Sequence, residues 1–241
     1  MTSAAPRILL MGSGEFTPAV LPVDTMLRDT MHVHSVAVIP AAAGKEPDAM
    51  KWITMAEHHY ASLGIDITGI PAFTPEEANS TAWDSALANV DLIYLSGGDP
   101  TYLHSILAGS RLWTTILSRV HTGVILAGSS AGAMVLGSSI PKNIRAPSIN
   151  ATPPEWVPAF LLVRLTIFPH FDRWQDASHR LNLLTEAGPP SWMGIDEDTG
   201  VFVTGDHALV VGRSSIELHE KDKPTIYHAG DTFTLPVNML E

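Results

Sequence analysis

The chain has 241 residues, 45% of them hydrophobic and 16% charged, and it contains no cysteine. A chain of this length buries roughly 70 to 75% of its unfolded surface, so a single domain spanning 1–241 is expected. The missing thiol excludes disulfides, thiolate zinc sites, iron–sulfur clusters and every cysteine-nucleophile mechanism. Fourteen Lys and Arg against 25 Asp and Glu give a net charge of −11, which leaves no basic footprint for a nucleic-acid backbone.

In chain order, short apolar runs alternate with amphipathic stretches, the pattern of strands feeding crossover helices around a parallel sheet. Strands are predicted at Arg7–Met11, 35–40, 65–70, 92–96 and 124–127, each running into Gly, Ser or Pro. The first of these apolar runs is too short for the core of a signal peptide and follows only Arg7, so a cytoplasmic location is expected. Residues 48–63 carry Met50, Ile53, Met55, Ala56 and Tyr60 at helical spacing, with Gly64 as the stop. Thr74 reads as an N-cap before Pro75, Glu76 and Glu77, opening a short helix that ends before Asn79 or Thr81. The stretch 122–140 is uncharged over about the length of a membrane span. Its Gly, Ser and polar middle fit a buried strand–turn–helix instead, and no membrane partner is expected. Beyond Ala133 a strand is predicted at 161–168 and a helix at 176–187. Strands at 192–196, 200–204, 208–211, 215–219 and 225–228 then make the C-terminal third β-rich.

The strongest local signal is the apolar strand that runs into Gly128-Ser129-Ser130-Ala131-Gly132-Ala133. It matches G-x-S-x-G, a strand–nucleophile–helix elbow with Ser130 at its centre. Small flanking residues let such a strained turn close, and the amide after the nucleophile can stabilise an oxyanion. A Gly/Ser-rich βα loop without chemistry would read the same way. Upstream, Ser96-Gly97-Gly98-Asp99 ends another strand, and the Gly98 amide is a candidate second oxyanion donor. His170 directly follows an apolar strand, which makes it the candidate base among eleven histidines. Asp196, Glu197 and Asp198 offer a carboxylate to hold the imidazole tautomer.

No metal or cofactor is expected. His32-Val33-His34 has no third ligand in pattern, and His58 and His59 point to different helix faces. Gly12-Ser13-Gly14 lacks the third glycine of a dinucleotide fingerprint, and no Walker lysine follows any Gly-rich loop.

The ordered set Gly12-Ser13-Gly14-Glu15, Ser96-Gly97-Gly98-Asp99, Gly128-Ser129-Ser130-Ala131-Gly132-Ala133, Pro169-His170-Phe171 and Gly194-Ile195-Asp196-Glu197-Asp198-Thr199 resembles the aspartyl dipeptidase (peptidase E) and cyanophycinase family of serine peptidases. It reaches from the first strand to about Val203. The family's fold is similar to class I glutamine amidotransferases, with Ser at the elbow where those enzymes carry Cys. The resemblance therefore implies an α/β three-layer sandwich with a mostly parallel central sheet and a β-rich C-terminal extension. It implies Ser130 as nucleophile, His170 as general base and Glu197 as orienting acid, with Asp196 and Asp198 as alternatives. The Gly98 and Ala131 amides would form the oxyanion hole. The implied substrate is a short peptide with an acidic N-terminal residue, which needs a fixed cation. Arg173 and Asp99 are the substrate-binding candidates, with Arg145, Arg164 and Arg180 behind Arg173. A homodimer is left open.

Three alternatives compete. Cyanophycinases place an Asp-Gln pair before the catalytic His and several closely spaced arginines after it. Here Phe168-Pro169 precedes His170, and the segment Asp172–Arg180 after it carries only Arg173 and Arg180, so hydrolysis of an Asp–Arg polymer is an alternative. An α/β-hydrolase esterase would order its triad Ser, acid, His, using Asp196 or Asp198 and then His207, His219 or His228. A non-catalytic binding module on the same fold is the third.

Overall fold

The computed structural model describes residues 5–142, 154–174, 188–220 and 223–235. In chain order its strands are β1 (Arg7–Met11), β2 (Ser35–Ile39), β3 (Asp66–Gly69), β4 (Leu92–Leu95), β5 (Ile125–Ser129), β6 (Ser139–Pro141) and β7 (Trp156–Pro158). They continue with β8 (Thr166–Phe168), β9 (Trp192–Ile195), β10 (Thr199–Thr204), β11 (His207–Gly212), β12 (Ser215–Glu220), β13 (Lys223–His228) and β14 (Thr232–Thr234). The helices are α1 (Leu21–Met31), α2 (Lys51–Ala61), α3 (Pro75–Ala78), α4 (Ala82–Ala86), α5 (Pro100–Leu107), α6 (Arg111–His121), α7 (Ala131–Leu136) and α8 (Phe171–Trp174).

The main sheet has the order β14-β11-β10-β1-β5-β4-β2-β3. Its five strands from β1 to β3 pair in parallel, whereas β10, β11 and β14 add antiparallel beyond β1. Strands β4 and β5 are buried along their whole length, as strands covered on both faces must be. Side-chain alternation then divides the core in two. Leu10, Ile39, Ile93, Leu95 and Leu126 pack with Leu103, Ile116 and Leu136 from α5, α6 and α7. On the other face Leu9, Val36, Val38, Leu92 and Ile125 pack with Leu27 and Tyr60 from α1 and α2. Helix, sheet and helix thus form three layers, with a β-rich C-terminal region, as the resemblance implies.

A second sheet, β13-β12-β9-β8, stands beside the first, and its β8 and β9 run parallel with Phe168 opposite Gly194. Since β8 and β9 each end within a residue of that pair, the segments that leave them run side by side. These two exits carry His170 and Glu197.

Most predicted elements fall within one to three residues of the observed ones. Thr74 forms a full capping box, its hydroxyl accepting from the Glu77 amide while the Glu77 carboxylate accepts from the Thr74 amide. Gly64 sits just past α2 at φ +67°, where a side chain would be strained. The strand predicted at 161–168 shortens to Thr166–Phe168. Leu161 takes a positive φ, and the Leu162 and Val163 amides both donate to the Leu136 carbonyl at the end of α7, so this stretch leaves the sheet. The helix predicted at 176–187 lies outside the described residues. The uncharged stretch folds as β5, α7 and β6, and no helix among the described residues is long and apolar enough to cross a membrane.

Leu126 is fully buried in a central strand, so Leu126→Ala is expected to lower unfolding free energy by about 2–5 kcal/mol. Thr74→Ala removes only the cap, at a cost of about 1 kcal/mol. Urea midpoints at unchanged slope would measure both.

Candidate active site

Ser130 stands between β5 and α7 with φ 50° and ψ −111°, a left-handed backbone that costs a non-glycine residue about 1–3 kcal/mol. Its amide donates to the Met11 carbonyl at 3.0 Å, and its carbonyl accepts from the Met134 amide at 3.0 Å. The flanking glycines are sterically required. A Cβ on Gly128 would lie 2.4 Å from the Gly132 carbonyl carbon, and one on Gly132 would lie 2.1 Å from the Leu95 carbonyl oxygen.

Ser130 Oγ and His170 Nε2 are 3.0 Å apart, and His170 Nδ1 lies 2.9 Å from Glu197 Oε1. The Glu197 carboxyl is held below the ordinary glutamate range, first by the hydrogen bond from His170 and then, against the opposing effect of desolvation, by Arg173. An ionised carboxylate only accepts, so Nδ1 carries the imidazole proton and Nε2 is left to accept from the serine hydroxyl. Arg173 donates Nε and Nη2 to the other carboxylate oxygen, Oε2, both at 3.0 Å. The Glu197 amide donates to Asp172 Oδ1 at 3.0 Å, which anchors the backbone of the acid as well.

The neighbouring acids do different work. Asp196 is buried and accepts from the Ser214 hydroxyl and from the Ser215 amide and hydroxyl, which staples β9 to the start of β12. Asp198 takes a positive φ and lies 3.8 Å from Arg213. Glu197 alone of the three meets His170. The Ser–acid–His order is not assembled: His207 is paired with Asp206, His219 stacks on Trp192, and His228 is exposed.

Ala131 follows Ser130 in the chain and Gly98 lines the same cleft as Ser130, and no described group accepts a hydrogen bond from either amide. A cleft of about 400 Å³ opens over Ser130, lined by Ser13, Gly14, Glu15, Thr17, Trp52 and Met55 and by Gly97, Gly98, His170, Glu197 and Asp198. Asp99 is not part of that lining. Its Oδ1 caps α5, accepting from the Tyr102 amide and the Thr101 hydroxyl. Burial pushes the Asp99 carboxyl up, but these hydrogen bonds and Lys45 bring it below the ordinary aspartate range. Arg164 is exposed and outside the cleft, and Arg145 and Arg180 fall outside the described residues. Sequence reasoning missed the cleft wall of Thr17, Trp52 and Met55, for which no motif exists. It also gave Glu15 no role, although the Gly12-Ser13-Gly14-Glu15 motif contained it.

A family model described as "Peptidase family S51" matches residues 8–211. A cyanophycinase from Geminocystis herdmanii (strain PCC 6308) is 30% identical over 194 residues, which cover 76% of this chain and 68% of that protein. The crystal structure of a peptidase from an acI-B1 Actinobacterium superposes with a TM-score of 0.84 at 26% identity, covering 96% of this chain and 98% of that one. A candidate peptidase E protein from Listeria monocytogenes EGD-e gives a TM-score of 0.65 at 21% identity, covering 88% and 100% of the two chains, a likeness of fold. The family model covers most of this chain, so the protein belongs to peptidase family S51 and is a serine-type hydrolase.

Proposed function

We propose that the protein hydrolyses short peptides with Ser130 as nucleophile, His170 as general base and Glu197 as orienting acid. The observation that carries this reading is the unbroken hydrogen-bond chain from Ser130 through His170 to Glu197, at 3.0 and 2.9 Å. In the proposed cycle His170 Nε2 takes the Ser130 proton as Oγ attacks the amide carbonyl carbon. The oxyanion rests on the Gly98 and Ala131 amides. The C–N bond then breaks as the imidazolium returns its proton to the leaving amine, and water releases the acyl group by the same route.

An acidic N-terminal residue gains little from this cleft. Its described lining carries Glu15, Glu197 and Asp198 and neither Lys nor Arg, while Arg173 is engaged with Glu197. Cyanophycin hydrolysis is a second reading, favoured by the relative of that activity and opposed by the arginine spacing after His170. A dipeptide library assayed beside cyanophycin separates the two, since turnover of the polymer alone would overturn the short-peptide reading.

Ser130→Ala is expected to lower kcat by about 10⁶ with the fold intact and to abolish labelling by a fluorophosphonate. A wild-type protein that neither labels nor turns over would instead be a binding module. The acid of the triad is testable by its titration. Because the folded Glu197 pKa lies below the unfolded one, its contribution to stability is present above the ordinary glutamate pKa and is lost as pH falls through the lowered value. Carbon-detected NMR titration of this carboxyl should therefore show its pKa rising both in His170→Ala and in Arg173→Ala.

A further inference from the structure

Glu15 lies in the loop after β1 and is only 6% exposed, yet it forms no ion pair among the described residues. Burying a carboxyl without a counter-charge is costly unless hydrogen bonds replace its water. Two do so. Oε1 accepts from the Gly97 amide at 2.9 Å, and Oε2 accepts from the Ser129 hydroxyl at 2.6 Å. These partners belong to the loop after β4 and to the last residue of β5, so one side chain joins two loops and a strand end at the carboxyl edge of the sheet.

The geometry points to Glu15 as a positioning residue for the oxyanion hole, holding the Gly97-Gly98 backbone against Ser130. This inference rests on the proposed triad. A Cβ on Gly97 would lie 2.8 Å from Glu15 Oε1 and 3.4 Å from Ser130 Cβ, so one face of Gly97 packs against both the carboxylate and the nucleophile. Next along the chain, Gly98 has φ +145°, and a Cβ there would lie 2.3 Å from the Ala42 carbonyl oxygen. With Gly97 anchored on Glu15 and the Asp99 amide anchored on Ala42 at 2.9 Å, the intervening Gly98 amide is fixed at both sides and has no described acceptor of its own. The Ser129 bond links the same carboxylate to the residue before the nucleophile, so Glu15 sets the two halves of the hole relative to each other.

Glu15→Gln keeps the shape and one oxygen for the Gly97 amide, whereas Glu15→Leu keeps only the volume. With p-nitrophenyl acetate as the reporter ester, Glu15→Leu is expected to lower kcat by about 10² to 10³, as loss of an oxyanion donor does, with KM within about threefold. Glu15→Gln should stay within about tenfold of wild type. Equal loss in both variants, or wild-type kcat in both, overturns the inference. Should Glu15→Leu fail to fold, hydrogen exchange decides: a Gly97 amide protected in wild type and in Glu15→Gln supports it, and exchange at an open-loop rate in wild type overturns it. Activity surviving in Ser130→Ala would sink the triad itself. Loss in Ser130→Ala together with full kcat in Glu15→Leu would sink only the role of Glu15.

Discussion

The contact on which the site depends is the approach of backbone to backbone beneath Ser130. Gly132 passes so close to the Leu95 carbonyl, and Gly128 so close to Gly132, that any side chain at either position would collide with main chain. That closeness lets β5 turn into α7 within one residue, and Ser130 takes the turn in a left-handed conformation. The strain is balanced by hydrogen bonds on both sides of the residue, to Met11 on β1 and from Met134 in α7. Since β1, β4 and β5 are adjacent and parallel, the same packing brings the ends of all three strands to one edge, where open α/β sheets place their ligands.

The other half of the site arrives from a different sheet. His170 and Glu197 leave β8 and β9, whose parallel register aligns Phe168 with Gly194. A side chain two or three residues beyond each strand is therefore held beside its neighbour by a ladder of main-chain bonds, not by a flexible loop. Asp196 fastens this corner to β12, and Asp172 and Arg173 of α8 grip Glu197 by its amide and its second oxygen. Both carboxylate oxygens and the amide of Glu197 thus have partners, which favours its ionised form and fixes its direction.

The parallel core, the elbow and the order of the motifs were legible in the sequence because each depends on local signals: apolar runs, glycine spacing, a proline after a cap. The choice among Asp196, Glu197 and Asp198 was not. Three consecutive carboxylates look alike in sequence, and only the turn out of β9 decides that one meets β12, one meets His170 and one faces Gly14. Arg173 looked like a substrate clamp because it is the nearest cation to His170 along the chain, yet its guanidinium points onto Glu197. Side-chain direction at a four-residue helix is set by the partner it finds, which no periodicity encodes. The residues 161–165 read as strand from their apolar character, but the amides of Leu162 and Val163 are taken by Leu136 at the end of α7 and that of Leu161 by Gly137 just beyond it. The three-residue strands β6, β7 and β14 are too short to leave a pattern.

The absence of cysteine gives this arrangement its stringency. A thiol at the elbow would be a few per cent ionised near neutral pH and intrinsically nucleophilic, so an approximate base would serve it. A serine hydroxyl has no such reserve and must lose its proton to a correctly placed imidazole as it attacks. An oxygen nucleophile therefore demands a fixed His tautomer, a carboxylate that stays charged beside it, and oxyanion donors that do not move. Under the proposed mechanism each demand meets a dedicated interaction: Glu197 on His170, Arg173 on Glu197, and Glu15 on the glycine loop. Buried or paired carboxylates of this kind add little to stability compared with apolar residues of similar volume. Their position around Ser130 is best understood as the cost of running acyl transfer on oxygen at an elbow that could equally have carried sulfur.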